Sequence, residues 1–215
     1  MRIDHLVWYN ADLAAGRRHV ATALGAEPAY GGEHPGEGTA NAVLSLGPST
    51  YLEILGRDVR QSDQGLDPEV ARLDGHGLYH WAVGGVDLVD LARRAAAAGL
   101  QGGELVPGGR VKPDGKRLDW LCWGLRDHGF GSLVPFFIDW RASEHPALSA
   151  PRGGTISRFA VQTPDAERLR ALFDVLGLAI MVERSDPPRV VAEIENGRGR
   201  VTLASFVPLP RGYVI

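Results

Sequence analysis

Ile3-Asp-His-Leu-Val-Trp8 opens the chain as a short run rich in β-branched and aromatic residues. Similar runs recur at Leu78-Tyr-His-Trp-Ala-Val83 and Ile156-Ser-Arg-Phe-Ala-Val161. This composition predicts a β-strand at each place. Aligned with one another, the three runs share one equivalent position, which holds His5, His80 and Arg158. The chain therefore contains three copies of one structural unit, and such an internal repeat fixes the architecture.

Each opening strand is followed by a predicted helix and then by further β-rich runs. The helices are predicted from Asp12 to about residue 24, from about 88 to 98, and over 165–176, and each stops near a glycine. One βαβββ unit alone would leave apolar surface and strand edges exposed. We therefore predict an α+β fold in which the first two units pair into a curved mixed sheet, a half-barrel around a cavity, with the third unit appended.

Proline and glycine cluster between the second and third units, in residues 144–154. This composition predicts a boundary. Residues 1–146 are expected to form one domain from the modules 1–56 and 77–146, and residues 155–215 a third βαβββ half-domain. His145, directly before Pro146, is expected to belong to a turn.

The bulk composition excludes several classes of function. The 215 residues include 26 acidic and 23 basic side chains, for a net charge of -3, which argues against binding to nucleic acid or to an anionic membrane. No glycine-rich phosphate loop precedes a helix, so no nucleotide cofactor is expected. The single cysteine, Cys122, and an N-terminus without a signal-peptide pattern predict a cytoplasmic protein.

Two histidines and one glutamate are the best candidates for a functional site. Because side chains alternate along a strand, His5 should share a face with Ile3, Val7 and Tyr9. Glu53 should point inward with Tyr51 and Leu55, and a carboxylate that faces a core needs a partner. His5, Glu53 and His80 could coordinate a divalent metal ion. The alternative is a buried hydrogen-bonded cluster that only holds the strands together.

The repeat, with histidine on an opening strand and glutamate on a closing strand, resembles the vicinal-oxygen-chelate superfamily, and more narrowly its glyoxalase-like domain proteins. Two further stretches carry the likeness: His34-Pro-Gly-Glu-Gly-Thr-Ala-Asn41 before Tyr51-Leu-Glu-Ile-Leu55, and Pro135-Phe-Phe-Ile-Asp-Trp140. The resemblance implies a cavity that binds a small molecule, and homodimers are common in this superfamily.

By position, the resemblance implies metal ligands at His5, Glu53 and His80, for an ion such as zinc, nickel, manganese or iron. The fourth ligand position falls on Phe137, which cannot coordinate a metal, and Asp139 is a substitute on the same face. Glu53 could instead act as a catalytic base, because a glutamate in an apolar cavity can have a raised pKa.

Six residues are predicted to contact the substrate. The glycine-rich loop would supply His34, Thr39 and Asn41 at the mouth of the cavity. Aromatic residues on the strands of the second unit, Trp120 and Phe137, would form an apolar pocket. Arg117 at a strand entry could meet a carboxylate on the ligand.

Two functions from different classes are consistent with these features. The first is a glyoxalase-like enzyme that acts on a small oxygenated metabolite, with or without a metal, as a lyase, an isomerase or a dioxygenase. The second is a metal-free protein that binds and sequesters a small molecule, like the bleomycin-resistance proteins. The paired histidines favour the enzyme, and the phenylalanine at the fourth ligand position favours the binding protein.

Overall fold

The computed structural model describes residues 1–62, 65–112 and 114–211 and contains three βαβββ units. The first consists of β1 (Arg2–Asp12), α1 (Leu13–Leu24), β2 (Ala29–His34), β3 (Thr39–Ser45) and β4 (Tyr51–Arg57). The second consists of β5 (His76–Gly84), α2 (Leu88–Ala97), β6 (Val106–Val111), β7 (Arg117–Trp123) and β8 (Phe136–Asp139). The third consists of β9 (Thr155–Thr163), α3 (Ala166–Leu176), β10 (Met181–Arg184), β11 (Arg189–Asn196) and β12 (Gly199–Ala204).

The helices begin and end where local chemistry predicts. The Asp12 carboxylate accepts the backbone N–H groups of Ala14 and Ala15 and so caps α1. Gly25 and Gly177 end α1 and α3 in the left-handed conformation, with φ of 70° and 75°, which glycine adopts without a steric penalty. The sequence did not predict β6, because Pro107, Gly108 and Gly109 disfavour a strand interior.

The first two units form one eight-stranded mixed sheet in the order β2-β3-β4-β1-β5-β8-β7-β6. Their opening strands β1 and β5 pair antiparallel at its centre, and each pairs in parallel with the closing strand of its own unit. The sheet curves until its two edge strands meet, where the Arg110 guanidinium on β6 donates to the Gly31 carbonyl on β2. The predicted α+β fold with a curved mixed sheet is confirmed.

The third unit repeats the order of elements but not the strand pairing. Its opening strand β9 lies inside a four-stranded sheet, β10-β9-β11-β12, between a parallel and an antiparallel neighbour. In the first unit the opening strand instead pairs with the closing strand β4. A hairpin turn at Asn196-Gly197 joins β11 to β12.

The third unit packs against the helix side of the large sheet. Trp81 on β5 is fully buried and contacts Phe159 and Phe173 of the third unit, with ring centroids 4.8 and 6.3 Å apart. The domain division at residues 146–155 stays a prediction, and residues 212–215 of the predicted half-domain lie outside the described residues. No helix in the described part of the chain is long and apolar enough to cross a membrane.

Candidate functional site

Asp4 and His5 both face the concave side of the large sheet, although they are neighbours on one strand. Where β1 pairs with β5, Ile3 lies opposite Val83 and His5 opposite Ala82, so that Asp4 is an extra residue on β1. An extra residue of this kind, a β-bulge, interrupts the alternation of side chains. Ile3 consequently packs against the helix-side core, and the expectation that it shares a face with His5 is wrong.

The buried Asp4 carboxylate accepts hydrogen bonds from three side chains. Its Oδ1 lies 2.8 Å from Nδ1 of His5 and 3.1 Å from Nε1 of Trp140, and its Oδ2 lies 3.1 Å from Nε2 of His145. Burial alone would raise the pKa of Asp4, but the contacts with His145 and His5 outweigh it and hold that pKa well below its ordinary value. Asp4 is therefore an ionised, buried anchor for two imidazoles.

These hydrogen bonds also assign the protons on the two imidazoles. Nδ1 of His145 accepts the backbone N–H of Ala147 at 3.2 Å, so Nε2 carries the proton donated to Asp4. Because an ionised carboxylate can only accept, Nδ1 of His5 donates to Asp4. In the neutral ring, Nε2 of His5 is left with a lone pair.

Three polar side chains surround the Glu53 carboxylate on β4. Oε1 accepts a hydrogen bond from Nδ2 of Asn41 at 2.7 Å. Nε2 of His5 lies 3.7 Å from Oε2, and Nε2 of His34 lies 3.7 Å from Oε1. Nδ1 of His34 is 2.9 Å from the Thr39 hydroxyl. Glu53 is thus held by an amide and faced by two imidazoles, an arrangement suited to moving a proton.

Glu53 and these imidazoles line a cavity of about 180 Å³ inside the curved sheet. Aromatic and aliphatic side chains form much of the remaining wall, including Tyr51, Trp120, Phe136, Ile138 and Trp140. The Tyr51 ring stacks on the His5 ring with centroids 4.6 Å apart. Burial raises the pKa of the Cys122 thiol in the same wall, which keeps it protonated. The volume is below the roughly 300–1,000 Å³ of pockets for drug-sized ligands, so the cavity fits a small metabolite.

The structure brings some of the predicted substrate contacts to the cavity and not others. His34, Asn41 and Trp120 line it, and Thr39 lies buried behind His34. Phe137 points to the other face of the sheet, where it is fully buried against Trp123. Arg117 is exposed and pairs with Asp119 at 2.7 Å, outside the cavity.

The predicted metal ligands are not all brought to this cavity. His80 lies outside its lining, with its ring edge-on to Phe136 and Nδ1 accepting the backbone N–H of Trp81 at 2.9 Å. Burial lowers the pKa of His80 to about 3. Asp139, the substitute fourth ligand, instead accepts the backbone N–H of Arg141. No group of three or more histidine, cysteine, aspartate and glutamate side chains in the described ranges is arranged to hold a metal ion, so the residues present do not fit the implied metal.

Sequence reasoning missed three residues of the site: Asp4, Arg110 and His145. One signal was available for Asp4, because a carboxylate inside an apolar strand needs a partner. His145 was assigned to a turn, and it does cap the short helical turn Pro146–Leu148, but its other nitrogen binds Asp4. Arg110 lies on the strand that was not predicted, so nothing in the sequence marked it.

A model of the glyoxalase-like domain family matches residues 3–195 of this chain. The chain belongs to the glyoxalase-like domain family. The predicted membership of the vicinal-oxygen-chelate superfamily, in its glyoxalase-like group, is thereby confirmed. A comparison with curated protein sequences found no match.

Several solved structures are similar to this glyoxalase-like chain at low sequence identity. A hypothetical protein from Staphylococcus aureus is 13% identical, with a TM-score of 0.65 over 93% of this chain and 84% of that one. A methylmalonyl-CoA epimerase variant from Streptomyces coelicolor, in complex with 2-nitronate-propionyl-CoA, is 21% identical, with a TM-score of 0.47 over 68% of this chain and 99% of that one. The epimerase from Mycobacterium tuberculosis is 17% identical, with a TM-score of 0.43 over 63% and 84%.

Proposed function

We propose that this glyoxalase-like protein is an enzyme of the vicinal-oxygen-chelate type that moves a proton at a carbon next to a carbonyl group in a small oxygenated metabolite. One observation carries the proposal: the Glu53 carboxylate lines a small cavity, held by Asn41 at 2.7 Å and faced by Nε2 of His5 and of His34, each at 3.7 Å. Among the reaction types open from the sequence, isomerisation by proton transfer uses this arrangement most directly.

In the proposed step, a Glu53 oxygen takes a proton from the carbon next to the carbonyl. The electron pair of the broken C–H bond forms the carbon–carbon double bond of an enolate, and the carbonyl π pair moves onto the oxygen. The protonated Glu53 can then donate to Nε2 of His5, whose Nδ1 is held by Asp4. Return of the proton to the other face of the same carbon, while the electron pair on the oxygen re-forms the carbonyl, completes the isomerisation.

Deuterium exchange tests this function. We expect the wild-type protein in D2O to accelerate exchange of the C–H bonds next to the carbonyl in at least one of two probes, 2-oxobutyrate and 1-hydroxybutan-2-one, followed by proton NMR. The Glu53→Gln variant should lose about 10²- to 10⁴-fold of that acceleration, the usual contribution of a general base.

Glu33→Gln serves as the matched control, since Glu33 is an exposed glutamate that pairs with Arg60 on the surface. Its exchange rate should equal that of the wild type. Exchange at the buffer rate with both probes, or an undiminished rate in Glu53→Gln, would refute the proposed function.

The predicted divalent metal ion at His5, Glu53 and His80 fits these residues poorly, because His80 does not line the cavity. We expect protein purified without a chelator or a histidine tag to contain the same amount of zinc, nickel, manganese and iron whether or not His80 is present. Elemental analysis of the wild type and of His80→Gln measures this. Bound metal that is lost in the variant would restore the predicted metal site.

A binding protein without catalysis is the second candidate, and the aromatic wall of Tyr51, Trp120, Phe136 and Trp140 favours it. This function predicts that Glu53→Gln and the wild type bind an aromatic ligand equally well while neither exchanges protons. Tryptophan fluorescence would report the binding. The small cavity restricts such a ligand to about the size of a single ring.

We also propose that the protein forms a homodimer and that it is located in the cytoplasm. Sedimentation of the purified protein tests the first, and fractionation of cells that express it tests the second.

A further inference from the structure

Arg110 is a buried cation in the wall of the cavity. Its side chain is 3% exposed, and it lines the same cavity as Glu53. Its guanidinium donates to the Gly31 carbonyl, and it makes no ion pair with any residue in the ranges that the structure describes. A charge removed from water without a counter-ion is costly, and one carbonyl dipole does not neutralise it. An anion bound in the cavity would neutralise this charge.

Tyr51 provides a second donor in the same wall. It is 2% exposed, and within the described part of the chain its hydroxyl has no hydrogen-bond partner. Burial, together with the nearby charges of Glu53 and Asp4, raises the pKa of Tyr51 well above its ordinary value, and the charge of Arg110 is close enough to act against that shift. The hydroxyl thus stays protonated and able to donate.

Asn41 contacts the proposed base and also lies near Arg110. Its Nδ2 donates to Glu53. Its Oδ1 is buried and has no hydrogen-bond partner among the described residues. This oxygen and Nη1 of Arg110 both lie beside Gly31, since a Cβ built on Gly31 would be 2.2 Å from Oδ1 and 3.0 Å from Nη1. The Asn41 side chain therefore connects the base to the region of the cation. An anionic group held by Arg110 would bring the adjoining carbons of the same molecule into the cavity that Glu53 lines.

From this geometry we infer that Arg110 and the Tyr51 hydroxyl bind the carboxylate of a short carboxylic acid, so that the substrate is an anion whose reacting carbon lies close to its carboxylate. A guanidinium matches a carboxylate with two parallel N–H donors. The inference adds a substrate class to the proposed function, and it rests on that proposal only in taking this cavity as the substrate site.

Benzoate and benzamide test the inference, because they have the same shape and differ in charge. Their binding is followed by the fluorescence of Trp120 and Trp140, which line the cavity. We expect the wild type to bind benzoate about 10- to 100-fold more tightly than benzamide, the value of one charge-assisted hydrogen bond. The Arg110→Gln variant should lose this preference and Arg110→Lys should retain part of it.

Arg110 also joins the two edge strands, and its replacement can unfold the protein. The variant Tyr51→Phe is therefore measured as well, because it removes only a hydroxyl and keeps the stacked ring. It should remain folded by circular dichroism and bind benzoate more weakly without a change for benzamide. Equal affinity of the wild type for the two probes, no binding of benzoate at millimolar concentration, or a preference that survives in Arg110→Gln would each overturn the inference. Glu53→Gln should keep the preference, because it leaves Arg110 and Tyr51 in place. A wild-type protein that prefers benzoate but exchanges no protons with either keto probe would contradict the proposed function alone.

Discussion

Asp4 accepts hydrogen bonds from His5, Trp140 and His145 in a position that is 1% exposed. These contacts tie β1 to the chain after β8 and fix the imidazole that faces Glu53. At the residue scale, the orientation of the imidazole that faces the proposed base therefore depends on the Asp4 carboxylate.

Replacing this carboxylate gives the first prediction. Asp4→Asn should lower the free energy of unfolding by about 3 kcal/mol, because the asparagine loses the charge, keeps one acceptor oxygen and turns an NH2 group towards a buried donor. Urea denaturation measures the change. Asp119→Asn, at an exposed carboxylate that pairs with Arg117, should cost no more than about 1 kcal/mol. Equal effects of the two substitutions would contradict the anchoring role of Asp4.

His80 gives a pH dependence at the same scale. Burial lowers its pKa in the folded state from 6.5 to about 3, so the unfolded chain binds this proton more tightly than the folded one. The free energy of unfolding should therefore decrease as the pH falls from 6.5 towards 3, and be insensitive to His80 above that range. Urea denaturation between pH 7.5 and 4.5, values chosen to span the upper part of this titration, should show a shallower decrease in His80→Gln. An identical slope in both proteins would argue against a buried neutral His80.

At the scale of secondary-structure elements, β2 and β6 close the sheet where Gly31, Arg110 and Asn41 meet. A side chain at position 31 would overlap Asn41 Oδ1, since its Cβ would lie 2.2 Å away. Asn41 is also the group that holds Glu53. The seam between the edge strands and the orientation of the proposed base are therefore coupled through one amide.

Gly31→Ala tests this coupling. We expect it to lower the free energy of unfolding by about 1–3 kcal/mol, as overpacking does, and to reduce proton exchange because Asn41 can no longer hold Glu53. Gly197→Ala is the control, since nothing lies within 4 Å of a Cβ there, and it should be close to neutral. Unchanged exchange in a folded Gly31→Ala protein would show that Asn41 does not position Glu53.

The elements also show what the sequence could and could not predict. Asp12, Gly25 and Gly177 determine helix ends by local chemistry, so α1 and α3 were predicted to within a residue. The bulge at Asp4 was not predicted, since it depends on the register between β1 and β5, which are distant in sequence. The strand β6 was not predicted, since its proline and glycines disfavour a strand. In the site, Glu53 and His5 lie on predicted strands and His34 in the predicted glycine-rich stretch, while the position of Arg110 depends on the closed sheet.

At the scale of the whole molecule, the third unit covers the helix side of the sheet whose other side forms the cavity. Trp81 and Phe159 connect the two sheets at a centroid distance of 4.8 Å. Side chains of all three units belong to one continuous core. The site is therefore supported from behind by a unit that contributes no residue to the cavity lining.

Thermal unfolding should accordingly show one cooperative transition for the entire chain. Phe159→Ala should lower the free energy of unfolding by about 3–5 kcal/mol, and Val175→Ala, at a partly exposed position of α3, by far less. Calorimetry of the three proteins measures both effects. Two separate transitions in the wild type would instead indicate that residues 1–146 and 155–215 fold independently.

The central claim is that a carboxylate at position 53 removes a proton from the substrate. Chemical rescue tests it most directly, with deuterium exchange measured for Glu53→Ala and the probe that the wild type exchanges. Without added carboxylate this variant should exchange at the buffer rate, and added formate, which can occupy the space left by the side chain, should restore exchange in proportion to its concentration. Exchange by Glu53→Ala at the wild-type rate without formate would contradict the account.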